Sequence, residues 1–257
     1  MQSQAKVQSG IVQHRDQQIP FYIQATADER RRDSRPQTET EMVGRFTPGL
    51  IPTVRRLDKY ERMTRLVDII GGLVGLVLFA PVLLVAMVAI KLTSRGPIFY
   101  SQIRVGEGGR LFRMIKLRTM VTEADKLQTQ LQALNEMQGP VFKIKRDPRI
   151  TSVGRILRKF SLDEVPQFLN VLRGDMSLVG PRPPLPKEVK KYQRWQLQRL
   201  MVKPGITGLW QVSGRNALTF DEWVRLDIRY IRQRTVWFDV KIMLQTFKVV
   251  FVKPDGT

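Results

Sequence analysis

The chain has 257 residues, with 43 Lys plus Arg against 23 Asp plus Glu, a single histidine and no cysteine. This composition excludes a thiol nucleophile, a disulfide framework and a cysteine-ligated zinc. The lone His14, set in a Gln-rich stretch, argues against a Ser-His-Asp triad or any site needing two imidazoles, so catalysis has to run on carboxylates and cations.

Charge is unevenly spread: 33 of the 43 basic residues and 16 of the 23 acidic ones follow residue 60. An excess of that size fits a polyanionic partner, whether nucleic acid, a phosphorylated small molecule or an anionic membrane surface. The first 58 residues are poor in apolar side chains, carry the run Asp28–Arg32, and read as a mostly disordered leader. Ile19–Ala25 is too short, and too interrupted by Pro20 and Gln24, to serve as a secretory signal.

Ile69–Ile90 is 22 residues without a charge. At about 1.5 Å per residue a straight helix of that length reaches roughly 33 Å, the thickness of a bilayer core. A buried helix of a soluble core seldom runs so far without a polar position. Pro81, near the middle, deprives the helix of a hydrogen bond to the Val77 carbonyl and favours a kink. Basic residues flank both ends: Arg55, Arg56, Lys59, Arg62 and Arg65 before, Lys91, Arg95 and Arg104 after. With no inside/outside asymmetry, a helix that enters, bends at Pro81 and returns to the same face satisfies both flanks, and a kinked span is the alternative.

Beyond residue 96 the chain turns mixed. Ile98–Ile103 and Leu111–Leu117 read as strands of a hairpin around Gly106–Gly109. Helices are expected over 123–137, over the basic amphipathic stretch 150–160, and over 166–172, 187–200, 221–232 and 239–251. In the last, Ile242, Met243, Phe247, Val250 and Phe251, with Trp237 and Phe238 at its start, form a stripe that suits either core or membrane docking.

Ser161-Leu162-Asp163-Glu164-Val165-Pro166-Gln167 carries the strongest local signal. With Pro166 opening a helix, Asp163 and Glu164 form an acidic dyad just ahead of it. A competing reading makes Ser161 and Glu164 a capping box. Lys116, Arg118, Arg155, Arg158, Lys159, Arg173, Arg182 and Arg215 surround the dyad in sequence and should keep it ionised. An adjacent carboxylate pair offers a nucleophile and a ligand for a hard cation such as Mg2+, with arginines on phosphate oxygens, which suits phosphoryl-type transfer. Val179–Pro184, Pro204–Gly208 and Gln211–Asn216 read as rigid turns, two of them presenting an arginine, or else as ordinary loops.

Asp68-Ile69-Ile70-Gly71, Lys116-Leu117-Arg118-Thr119-Met120, Ser161–Gln167, Asn170–Pro183, Pro204–Gly208 and Gln211–Asn216 together resemble the bacterial sugar transferases. These are the polyprenyl-phosphate sugar-1-phosphate transferases, or monotopic phosphoglycosyl transferases, and the likeness runs from about residue 60 to 252. It implies a mainly α fold with a small β-hairpin element. A re-entrant membrane helix hairpin (59–95), broken at Pro81, is joined to a cytoplasmic α/β catalytic domain (96–257) with amphipathic surface helices. It also implies an enzyme of the bacterial inner membrane, active on the cytoplasmic face, that moves a sugar-1-phosphate from a UDP-sugar to undecaprenyl phosphate and releases UMP.

By the same resemblance Asp163 corresponds to the nucleophile and Glu164 to the Mg2+-associated carboxylate, while Lys116, Arg158, Arg182, Arg215 and Asp227 fall on substrate- and phosphate-binding positions. Membrane lipid is an implied partner and nucleic acid is not; other glycan assembly enzymes and a second copy of the chain are partners such a position allows. Two departures from the pattern are Ala80, where many members carry Ser before the proline, and Leu117 in place of an aromatic. Outside the resemblance, the residues also fit a membrane-tethered anion-binding module, or an inactive scaffold of a glycan assembly complex.

Overall fold

The computed structural model describes residues 58–136, 139–142, 144, 146–214 and 218–252; the expected leader, with His14, lies outside them. In chain order the elements are α1 (Asp58–Thr93), β1 (Phe99–Val105), β2 (Leu111–Leu117), α2 (Ala124–Gln130), α3 (Ser152–Lys159) and α4 (Gln167–Arg173), then β3 (Ser177–Val179), α5 (Pro186–Val189), β4 (Gly205–Thr207), α6 (Leu209–Val212), α7 (Phe220–Gln233) and α8 (Val236–Val252). The described chain is mostly helical, with two two-stranded sheets.

Helix α1 takes in the whole apolar segment and is a single helical element with Pro81 inside it. It is long and apolar enough to be inserted in a membrane. Its middle is bare, with Val77 75% exposed, but both of its ends are tied to the rest of the protein. Near the start, Arg65 donates to the carbonyls of Val171 (2.6 Å) and Leu172 (2.7 Å), capping the end of α4. Asp68 accepts from Ser177 Oγ (2.9 Å) and from the Leu178 backbone N–H (2.8 Å). One and two turns on, α1 lies against α4 and β3 at small residues: a Cβ on Gly75 would come within 2.6 Å of the Phe168 ring. At the far end Ala86 and Ile90 are buried with Leu117 and Leu157, and the Arg118 guanidinium clasps the carbonyls of Ser94 and Arg95.

Strands β1 and β2 form the expected hairpin, in register Tyr100↔Lys116 and Arg104↔Phe112. Asn170 of α4, fully buried, fixes its outer edge, accepting from Ile115 N (3.1 Å) and donating to the Arg113 carbonyl (2.8 Å). Asn170→Ala leaves two part-buried backbone groups without this partner, so an unfolding free energy lower by about 2 kcal/mol is expected in denaturant titration; an unchanged midpoint would refute the assignment.

The second sheet was not expected. β3 and β4 pair in parallel, Ser177 with Gly205 and Val179 with Thr207, where the sequence suggests only turns. A Cβ on Gly205 would sit 2.0 Å from Gly180 N, so glycine is what lets these backbones meet. The expected helix over 187–200 is also replaced, by α5 and a separate 3-10 segment, Arg194–Leu200. The Glu188 and Gln196 side chains each turn back onto a backbone N–H three residues earlier, those of Leu185 and Gln193 (both 2.8 Å), and Gln196 also reaches Asp221. Two helix starts within eight residues leave no continuous helix.

The main core joins β2, α4, β3, α7 and α8 through Phe112, Met114, Val171, Leu178, Ile231 and Ile242, among others. In α8 the apolar residues divide: Ile242 is core, while Trp237, Leu244 and Phe247 stand exposed, as do Ile156 and Phe160 at α3. At the start of α8, Asp239 accepts from Tyr230 (2.7 Å) and Tyr60 (2.9 Å), locking α7 and α1 to α8. Burial pushes its carboxyl from the ordinary 3.8 up to about 6, against the two donated hydrogen bonds. Because the native state binds this proton more tightly than the unfolded chain, stability contributed here rises as pH falls from about 6 towards 4. Asp239→Asn should flatten the difference in stability between pH 7 and pH 5, as read by denaturant titration at the two pH values.

Candidate active site

The dyad owes its position to a short irregular stretch. Thr151 caps α3, accepting from Gly154 N at 3.0 Å, and two residues past the end of α3 comes Ser161, which has a φ of 55°, the one non-glycine residue with positive φ among those described. A 3-10 turn, Leu162–Glu164, follows, and Pro166 comes immediately before α4. The Ser161 side chain makes no capping hydrogen bond, so the capping-box reading is not what the chain adopts. Leu162 packs against the cluster that Ala86 and Ile90 of α1 form with Leu117 and Leu157 and Val165 is buried, while the two residues between them, Asp163 and Glu164, line a cleft.

That cleft, about 540 Å3, lies between the hairpin, the α3–α4 turn, the Pro181–Lys187 segment and an aromatic wall that includes Phe142, Trp210 and Trp223. Lys116 Nζ is 2.6 Å from Glu164 Oε1, and Arg158 Nε donates to Thr119 Oγ1 at 2.9 Å. Asp163 is only 7% exposed. Burial pushes its carboxyl above the ordinary carboxylate range; Lys116 pulls it back down, Glu164 raises it further and Arg158 lowers it. The cations expected to keep the dyad ionised thus act in that sense at Asp163, through Lys116 and Arg158, against the larger effect of lost water. A poorly hydrated carboxylate between two cations is suited to attack an electrophile that brings its own negative charge.

Lys116, Arg158, Asp163, Glu164 and Arg182 are brought together at this one cleft. Arg182 sits 3.6 Å from the buried Glu188. Asp227 is placed elsewhere: on α7 it meets Arg199 at 2.5 Å, each side chain 1% exposed. Arg199 lies over the Tyr192 and Phe220 rings and donates to the Arg182 carbonyl at 3.4 Å, so Asp227 bears on the cleft through the backbone that carries Arg182. Its carboxyl is pushed up to about 6 by burial, with Arg199 acting against that. Arg215 lies outside the described residues.

Three cleft or supporting residues escaped the sequence reading: Arg104, Glu188 and Arg199. For Arg104 a signal existed, since alternation in the hairpin puts it on the same face as Lys116. Among the described residues no three acidic or histidine side chains cluster as a metal cage.

The profile of the bacterial sugar transferases matches residues 59–253, and the chain belongs to that family. It is 49% identical over 197 residues to a galactosyl transferase, CpsE, of Streptococcus agalactiae, covering 76% of this chain and 44% of that protein. It is 42% identical over 198 residues to the undecaprenyl-phosphate galactose phosphotransferase of Salmonella typhimurium, covering 76% and 41%. Over 187 residues it is 38% identical to the exopolysaccharide production protein ExoY of Rhizobium meliloti, covering 71% and 83%. The chain thus spans less than half of the first two relatives.

Proposed function

We propose that the chain is a phosphoglycosyl transferase that moves a sugar-1-phosphate from a UDP-sugar to undecaprenyl phosphate on the cytoplasmic face of a bacterial inner membrane, beginning the synthesis of a surface polysaccharide or glycoconjugate. The observation that carries this is Asp163: buried within the electrostatic reach of Lys116 and Arg158, one residue after Leu162, which packs against the cluster that includes Ala86 and Ile90 of the apolar helix. A phosphate acceptor with a long isoprenoid tail has to be met at the lipid boundary, because withdrawing the tail costs about 0.8 kcal/mol per CH2.

In the first half-reaction an Asp163 carboxylate oxygen attacks the phosphorus bearing the sugar, and the P–O bond to UMP breaks, UMP leaving with the electron pair. Lys116 and Arg158 offset charge on the phosphorus oxygens. In the second, a phosphate oxygen of the acceptor attacks the same phosphorus, the acyl phosphate bond breaks, and Asp163 returns as carboxylate. Kinetics of the ping-pong type follow.

Mg2+ fits the donor set, since it commonly takes one or two carboxylates together with substrate phosphates and Glu164 faces the cleft beside Asp163. Glu164 would hold the ion, which when bound supplies charge neutralisation at the diphosphate. Both ends of α1 are held by one charged domain, through Asp68 and through Ser94, which supports a helix whose ends stay on one membrane face. Exposed Trp237, Leu244, Phe247 and Ile156 suit the same interface.

The test is UMP release from a panel of UDP-sugars with undecaprenyl phosphate and Mg2+, plus labelled donor alone followed by mapping of the adduct. Absence of turnover with every sugar, or a label on a residue other than Asp163, defeats the reading. Salt-sensitive binding without turnover would instead favour a tethered anion-binding module.

A further inference from the structure

Resting on the proposed transfer, we infer that Thr119 is a positioning residue of the reaction. Its hydroxyl takes the Nε–H of Arg158, and so sets the rest of that guanidinium toward the phosphorus oxygens of a substrate at Asp163.

Lys116 and Arg158 are the cations that act on Asp163, but they are held differently. Lys116 has a carboxylate partner, Glu164. Arg158 donates from Nε to Thr119 Oγ1 at 2.9 Å, and its two terminal nitrogens have no hydrogen-bond or ion-pair partner among the described residues. A guanidinium carries five N–H donors in one rigid plane. A bond at Nε fixes that plane while leaving the outer fork, the part that matches phosphate oxygens, for a ligand. The partner is a neutral hydroxyl, so the positive charge is oriented without being neutralised. Arg158 is only partly buried, and the hydroxyl matters less for satisfying a donor than for directing the fork. Both residues line the cleft.

Thr119 is itself firmly placed, 5% exposed and gripped through its backbone. Its carbonyl accepts from Thr151 N (3.0 Å) and Thr151 Oγ1 (3.3 Å), where α3 begins. Gly154 comes so near that a Cβ there would stand 2.0 Å from the same carbonyl oxygen. Gly154 and Arg158, four residues apart in α3, share one face of the helix, and a long helical side chain leans back toward the start of its helix. The carbonyl of Thr119 thus seats α3 while its hydroxyl receives the arginine. On the other side the preceding residue, Arg118, donates to the Ser94 carbonyl at 3.0 Å, which ties the backbone carrying the hydroxyl to the far end of α1.

Steady-state UMP release by the full chain in nanodiscs, with undecaprenyl phosphate, Mg2+ and the UDP-sugar that gives the highest turnover, tests this. The variants are Thr119→Val, Thr119→Ser, Arg158→Lys and the double replacement Thr119→Val with Arg158→Lys, each assayed below its thermal unfolding midpoint. Thr119→Val should lower kcat about tenfold to a hundredfold, as expected for a misplaced group. KM for the donor should hold, because the cation stays in the cleft and its misorientation is felt in the transition state. Thr119→Ser, which keeps the hydroxyl, should restore most of the rate. On the Arg158→Lys background, which lacks the Nε–H, Thr119→Val should have no further effect. Losses that multiply in full in the double variant, a change in KM alone, or a serine variant as slow as the valine one overturns the inference and leaves Thr119 as a seat for α3. If Arg158→Lys turns over too slowly to measure, the serine and valine variants decide through kcat and KM. Absence of UMP release by the wild type defeats the proposed reaction, and the role of Thr119 with it; wild-type turnover with any of the overturning results defeats that role alone.

Discussion

Asp163→Asn is expected to cut UMP release by at least about 10^3-fold, some 4 kcal/mol of barrier, while the thermal unfolding midpoint stays level or rises. The two readouts part because the carboxylate costs the fold something. It is buried, and its carboxyl is displaced above the ordinary range by loss of water, so a neutral isostere relieves a penalty while removing the attacking carboxylate. An acid limb in the pH profile follows by the same logic: the nucleophile has to be ionised, and rate falls as pH drops through its raised pKa. Turnover retained in the asparagine variant would remove Asp163 from the reaction.

The largest effect on stability is expected at the Arg199–Asp227 pair. Removing one partner of a fully buried ion pair strands the other, at about 3–5 kcal/mol, so Arg199→Ala and Asp227→Ala should both lower the denaturant midpoint sharply. Their pH dependence should differ. Without Arg199 the Asp227 carboxyl, already raised to about 6 with its partner present, can take up a proton. The native state then binds that proton more tightly than the unfolded chain, and part of the loss is recovered as pH falls, beginning above pH 6 because Arg199 no longer holds the carboxyl down. Arg199 stranded by Asp227→Ala cannot shed its charge and gains nothing from acid. The double replacement Arg199→Met with Asp227→Leu should restore most of the stability at pH 7. Equal pH dependence of the two single variants would refute the account.

The parts legible in the sequence are those written in local pattern. The hairpin announces itself by Gly106–Gly109 between two alternating runs, the long apolar helix by 22 uncharged residues, and the dyad by Pro166 just ahead of α4. What stayed hidden depends on partners distant along the chain. β3 and β4 are three residues each, and only backbone approach at Gly205 joins them. The break in 187–200 is made in part by Asp221. The direction of the Asp163 shift could not be read either, because counting cations along a sequence says nothing about how much water a fold removes. Asp227 illustrates the same limit: its proximity to Arg182 passes through Arg199 and a backbone carbonyl.

The glycine row of α1, close against Phe168, Leu172 and Leu178, makes the anchor a support of the cleft from behind, with Ala86 and Ile90 in the cluster against which Leu162, the residue next to Asp163, packs. Cutting the hydrophobic arm away to obtain a water-soluble fragment would thus unmake the enzyme, and harsh solubilisation that tilts the arm should quench turnover before the remainder of the molecule unfolds.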